Sequence, residues 1–60
     1  MKTCISLPDL DIKVEQKKNG EFRITYGKQI EWAITYEEAA RKFGYAVFHA
    51  LSCEGKIDND

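Results

Sequence analysis

The sequence predicts an α+β fold, a three- or four-stranded antiparallel meander packed against one long C-terminal helix. Two kinds of observation lead there. Ile12 and Val14, then Phe22, Ile24 and Tyr26, then Ile30, Trp32 and Ile34 alternate with polar neighbours, the period of half-buried strands. From Thr35 onward the apolar spacing changes to three and four, the period of a helix with one dry face.

The first element in chain order is a short strand over about 3–7. Pro8-Asp9 ends it, and a proline that cannot donate to a ladder puts this segment at an edge or a bend. Strands follow over about 10–17, 21–26 and 29–34. Lys18-Asn19-Gly20 and Gly27-Lys28-Gln29 separate them, each carrying the glycine a tight turn wants.

Pairing tests the register of the first hairpin. A two-residue Asn19-Gly20 turn sets Val14 opposite Thr25 and mismatches the apolar faces. A three-residue loop, with Gly20 left-handed, sets Lys17 against Glu21, Glu15 against Arg23, Val14 against Ile24 and Ile12 against Tyr26. The second option matches both faces at once, so the longer loop is expected. The same logic across 27–29 pairs Tyr26 with Ile30 and Ile24 with Trp32. It makes Phe22, Tyr26 and Trp32 an inward aromatic row.

The helix is expected over about 36–54. Thr35 followed by Glu38 is a capping box, and Glu37 and Glu38 suit the positive end of the helix dipole. Ala39, Ala40, Phe43, Val47, Ala50 and Leu51 form its stripe, and Gly55 is a natural stop. The end of the chain, 56–60, is expected to be loose.

Sixty residues make one domain, and a chain this short buries only about 60% of its unfolded surface. A disulfide, a metal or self-association would compensate. Cys4 and Cys53 are the only cysteines, and no apolar leader precedes them, so reduced thiols and a cytoplasmic location are expected. A staple between the two is the alternative. No run approaches the roughly 18 apolar residues of a membrane span. Net charge is −1, without a global pull toward nucleic acid.

No constellation of convergent titratable groups suggests catalysis, and no cofactor is implied. His49 and Cys53 lie four apart and share a helix face, a spacing that can hold zinc, with Cys4 as a third donor and Asp58 or Asp60 folding back as a fourth. The plainer reading is a histidine favoured near the negative helix end and a cysteine serving as a small filler. Lys13, Lys17, Arg23 and Lys28 give the strands and turns a basic face that could bind single-stranded nucleic acid. Glu15, Glu21 and Glu31 interrupt that face, and the aromatics are expected on the opposite side.

The helix itself holds an anomaly. Gly44-Tyr45-Ala46-Val47-Phe48 makes it apolar nearly all round, which normally means burial on more than one side. Tyr45 and Phe48 fall outside the stripe. With Ala40, Gly44, Ser52 and the adjacent Ala46 they form a candidate contact patch, against the bland reading of scattered exposed aromatics. Gly44 costs about 1 kcal/mol against alanine in mid-helix, and close approach of another backbone would justify it.

The run Asn19-Gly20-Glu21-Phe22-Arg23-Ile24-Thr25-Tyr26, followed by Thr35-Tyr36-Glu37-Glu38-Ala39, resembles the Gly-x-aromatic strand and Thr-x-Glu-Glu-Ala helix start of HicB-type antitoxin domains. The Pro-Asp-Leu-Pro-Gly type of loop between those parts is missing; the similar run Leu7-Pro8-Asp9-Leu10 precedes the strands. The resemblance implies an antitoxin-type domain and assigns no functional residue. The leading expectation from the residues is a non-enzymatic protein–protein interaction module. It would act as a homodimer through the helix, a small accessory or inhibitor protein of a kind common in bacteria and phages. Nucleic-acid binding by the basic sheet face is the alternative.

Overall fold

In the computed structural model, which describes residues 1–57, four strands run in the order of the sequence: β1 (Lys2–Leu7), β2 (Ile12–Gln16), β3 (Phe22–Tyr26) and β4 (Gln29–Ala33). They are followed by one helix, α1 (Tyr36–Cys53). Every neighbouring pair is antiparallel and hydrogen-bonded, so the sheet is a four-stranded meander with β1 and β4 at its edges.

β1 is the expected edge strand, and it is bulged. The register slips between Thr3 and Ile5, leaving Cys4 without a partner, so that Ile5 meets Val14 and Leu7 meets Ile12 on the same face. Pro8 opens a single 3-10 turn, Pro8–Leu10, and Asp11 closes it in the left-handed conformation, its amide donating to the Pro8 carbonyl over 3.1 Å. β2 therefore starts at Ile12. The expected start near residue 10 fails because proline builds a turn there.

The β2–β3 hairpin has the expected register throughout, Ile12 to Tyr26, Val14 to Ile24 and Glu15 to Arg23. Lys18, Asn19 and Gly20 form the loop. The Lys17 amide reaches the Glu21 carbonyl over 2.8 Å, and Gly20 takes φ 96°, a conformation that favours glycine.

The β3–β4 hairpin departs from expectation by one residue. Tyr26 pairs with Gln29, Ile24 with Glu31 and Arg23 with Trp32, so the loop is only Gly27-Lys28. Gly27 takes φ 57° and Lys28 does not go positive, the pattern of a type II′ turn with glycine first. A one-residue change in a strand reverses every side chain on it. Ala33 is consequently buried against the helix, while Ile30 and Trp32 stand on the opposite, outer face of the sheet. Phe22 and Tyr26 face inward as expected; Trp32 does not.

Helix α1 begins where the capping box predicts. Thr35 Oγ1 accepts from the Glu38 amide (3.2 Å), and the Glu38 carboxylate reaches back to the Ile34 amide (2.8 Å), one residue beyond the usual target. It ends in a Schellman motif: Gly55 N–H donates to Ser52 and Lys56 N–H to Leu51, with Gly55 at φ 75°.

The core holds Ile12, Val14, Ile24, Tyr26 and Ala33 from the sheet and Ala39 and Ala46 from the helix, with Phe43, Val47 and Ala50 packed beside them. The buried stripe thus runs 39, 43, 46, 50. Ala46, expected near the contact patch, lies at its centre with no exposed surface. Ala40 is exposed and Leu51 half-buried outside the core, so both leave the expected stripe. The two helix residues buried outright, Ala39 and Ala46, are both alanines, which take up little room against the sheet.

Candidate interaction surfaces

Of the expected helix patch, Tyr45 and Phe48 are 64% and 65% exposed, with Ala40 exposed and Gly44 and Ser52 half-buried nearby. At 100° per residue, Phe48 points almost straight away from Ala46 and Tyr45 lies on the flank toward β4. A Cβ on Gly44 would meet nothing within 4 Å, so among the described residues no close approach requires glycine there.

Tyr45 also organises the flank below it. Its ring stacks on His49, with centroids 6.0 Å apart and planes at 12°, and His49 meets Tyr26 edge-on, also at 6.0 Å. Burial pushes the Tyr26 hydroxyl pKa up, with Glu31 and Tyr45 adding to the shift. Lys42 draws the helix to β4: its Nζ lies 3.6 Å from Glu31, 4.0 Å from Glu38 and 2.6 Å from the Trp32 carbonyl. Between that flank and β4 lies an open hollow lined by Tyr26, Glu31, Glu38, Arg41, Lys42 and Tyr45.

The metal candidates do not converge. Cys53 Sγ and His49 Nε2 are 3.7 Å apart, but both side chains are exposed, and Cys4 sits at the other end of the helix, beside Tyr36, Ala39 and Ala40. Ala40 and His49 are nine residues apart, about 13 Å of helix. Both thiols are free, which also leaves the terminal staple unformed. Among the described residues no three potential ligands come together; Asp58 and Asp60 lie outside them.

The basic face is real but internally neutralised. Arg23 clamps Glu15 through Nε (3.1 Å) and Nη2 (2.5 Å), Lys13 lies 3.8 Å from the same carboxylate, and Lys17 lies 3.5 Å from Glu21. The Arg23 hydrogen bond holds the Glu15 pKa below the usual carboxylate range, and the Asn19 side chain, with Lys17 second, does the same for Glu21. Lys28 stands exposed in the second turn.

The surface that sequence reasoning missed is the outer side of β4 together with Ile34 just past its end. Ile30, Trp32 and Ile34 are 53%, 46% and 75% exposed, and Lys17 Nζ lies 5.5 Å from the indole centroid. The signal was present as Gly27-Lys28, a glycine-first pair suited to a two-residue type II′ turn; the apolar alternation outweighed it.

No family model matches the chain, and neither does any curated protein or solved structure. The HicB-type resemblance therefore rests on the short motifs alone. No helix among the described residues is long and apolar enough to cross a membrane.

Proposed function

We propose that this chain is a non-enzymatic protein-interaction module that associates with itself, a small accessory or inhibitor protein of the cytoplasm. The observation that carries the reading is the pair of large aromatics, Tyr45 and Phe48, mostly exposed on a helix whose other side is already occupied by the sheet. Exposed apolar surface of this kind marks contact sites in small proteins, and a second copy supplies the burial that a 60-residue chain lacks. A two-fold dimer is the commonest form of such contact. The nucleic-acid reading has less support, because Lys13, Lys17 and Arg23 each lie against a glutamate.

Sedimentation equilibrium at micromolar concentration tests the reading. The expected result is a dimer that the double variant Tyr45→Asp, Phe48→Asp converts to a folded monomer. A wild-type chain that sediments as a monomer, with stability unaltered in the variant, would overturn it.

A further inference from the structure

We infer that the second copy enters along β4, edge to edge, so that two four-stranded sheets become one of eight strands with both helices on the same face. This deepens the self-association reading and rests on it: Tyr45, on the flank toward β4, meets the seam, and Phe48, on the far side of the helix, stays outside it.

β4 is the last strand of the sheet, and among the described residues no strand pairs with its far edge. The Trp32 carbonyl and the Ile34 amide point to that edge, since Lys42 Nζ and Glu38 Oε1 from the helix bind them. Residues two apart along an antiparallel strand aim their backbone groups the same way. The Ile30 amide and carbonyl and the Trp32 amide therefore face outward with them. The edge offers ladder groups at 30 and 32, with the Ile34 amide just past the end of the strand, and those same three residues carry the exposed apolar side chains. Such an edge is a template for another strand.

The run Ile30 to Ile34 fits an antiparallel copy of itself. In an antiparallel self-pair centred on Trp32, Ile30 lies opposite the partner's Ile34 and Trp32 opposite the partner's Trp32. That aligns the apolar residues in one row on the outer face. On the inner face Glu31 lies opposite the partner's Ala33. Shifting the centre to residue 31 sets two glutamates against each other, so charge disfavours that alternative. The two-fold axis then stands perpendicular to the sheet. It brings the flanks bearing Glu38, Arg41, Lys42 and Tyr45 to face their copies, two acids and bases that can cross-pair around the two tyrosines (counting Glu31 with Glu38). Lys42 and Glu38 give up one backbone contact each on dimerisation; Lys42 keeps Glu31 beside it.

Trp32 is the only tryptophan in the chain, so its spectrum reports this contact directly. Circular dichroism and sedimentation across a concentration series test the proposal on the full chain, with Ile34→Lys and Tyr45→Asp, Phe48→Asp as variants. Ile34 is the most exposed of the large apolar side chains, so its replacement spares the core. The expected result is an exciton couplet between two indoles that grows with the dimer fraction, together with dissociation at least tenfold easier in Ile34→Lys. A dimer without the couplet that resists Ile34→Lys but yields to the double variant would overturn the edge pairing and leave self-association through the helix standing. A monomer at every concentration would overturn both.

Discussion

Ala46 shows how much a single small side chain decides. It has no exposed surface and sits in the stripe from Ala39 to Ala50 that packs on the sheet. A larger residue there must push the helix outward or leave its rotamer. Ala46→Leu is expected to cost about 1–3 kcal/mol in a urea unfolding curve. This position was hard to read in the sequence because hydrophobic periodicity weights bulk. It drew the stripe through Val47, which does pack beside the core, and Leu51, which does not, and passed over the alanine that is fully buried. Glu15 was legible for the opposite reason: cross-strand charge matching with Arg23 followed directly from the hairpin register. Because Arg23 depresses its pKa, Glu15 binds protons less readily in the folded chain than in the unfolded one. Its contribution is present above the ordinary glutamate pKa of about 4.3 and is lost as the pH falls through the lower folded value. Unfolding curves from neutral to strongly acid pH are expected to show stability falling in that window, and Glu15→Gln to flatten the fall.

Among the elements, the helix and the first hairpin were readable because local chemistry sets both. Thr35 closes the helix start through its hydroxyl, and Thr35→Ala is expected to lower stability by about 1 kcal/mol, measured by thermal or urea unfolding. Thr35→Ser should restore most of that loss, since serine presents the same acceptor. Gly20 supplied the second local signal, a left-handed position at the end of a three-residue loop. The second hairpin misled because two signals conflicted. The alternation of Ile30, Trp32 and Ile34 favoured burial, and burial favoured a longer loop. Turn chemistry prevailed, since Gly27 at the first position of a type II′ turn matches the natural twist of the strands. The apolar alternation then had to lie on the outside. Of the candidate surfaces, the helix patch could be read from spacing alone; the β4 surface could not, because its existence depends on the loop being one residue shorter.

At the scale of the whole molecule the described residues make a thin body, 37 × 21 × 16 Å, with one helix over a sheet wider than itself. The helix lies mainly over β3 and β4, anchored there by Lys42. On the β1 side it leaves an apolar groove of about 210 Å³, lined by Ile5, Val14, Phe22, Tyr36 and Phe43 among others. A two-layer chain of this size has no third layer with which to cover its remaining faces, which is why large apolar groups occur on both the helix and the sheet exterior. The sequence indicated this shortage through the all-round apolar helix. It did not reveal that the sheet shares it.

The turn at Gly27-Lys28 sets the phase of everything after it. One residue more between β3 and β4 would carry Ile30, Trp32 and Ile34 to the helix side. Gln29, the glutamate held by Lys42 and an alanine at 33 occupy that side now, and the helix would have to lift to admit an indole. The outer face of β4 would in turn receive Glu31 and Ala33, and its edge would lose the apolar row that distinguishes one neighbour from another. In this chain the length of a two-residue turn determines which surface is kept dry within the molecule and which is left for meeting other molecules.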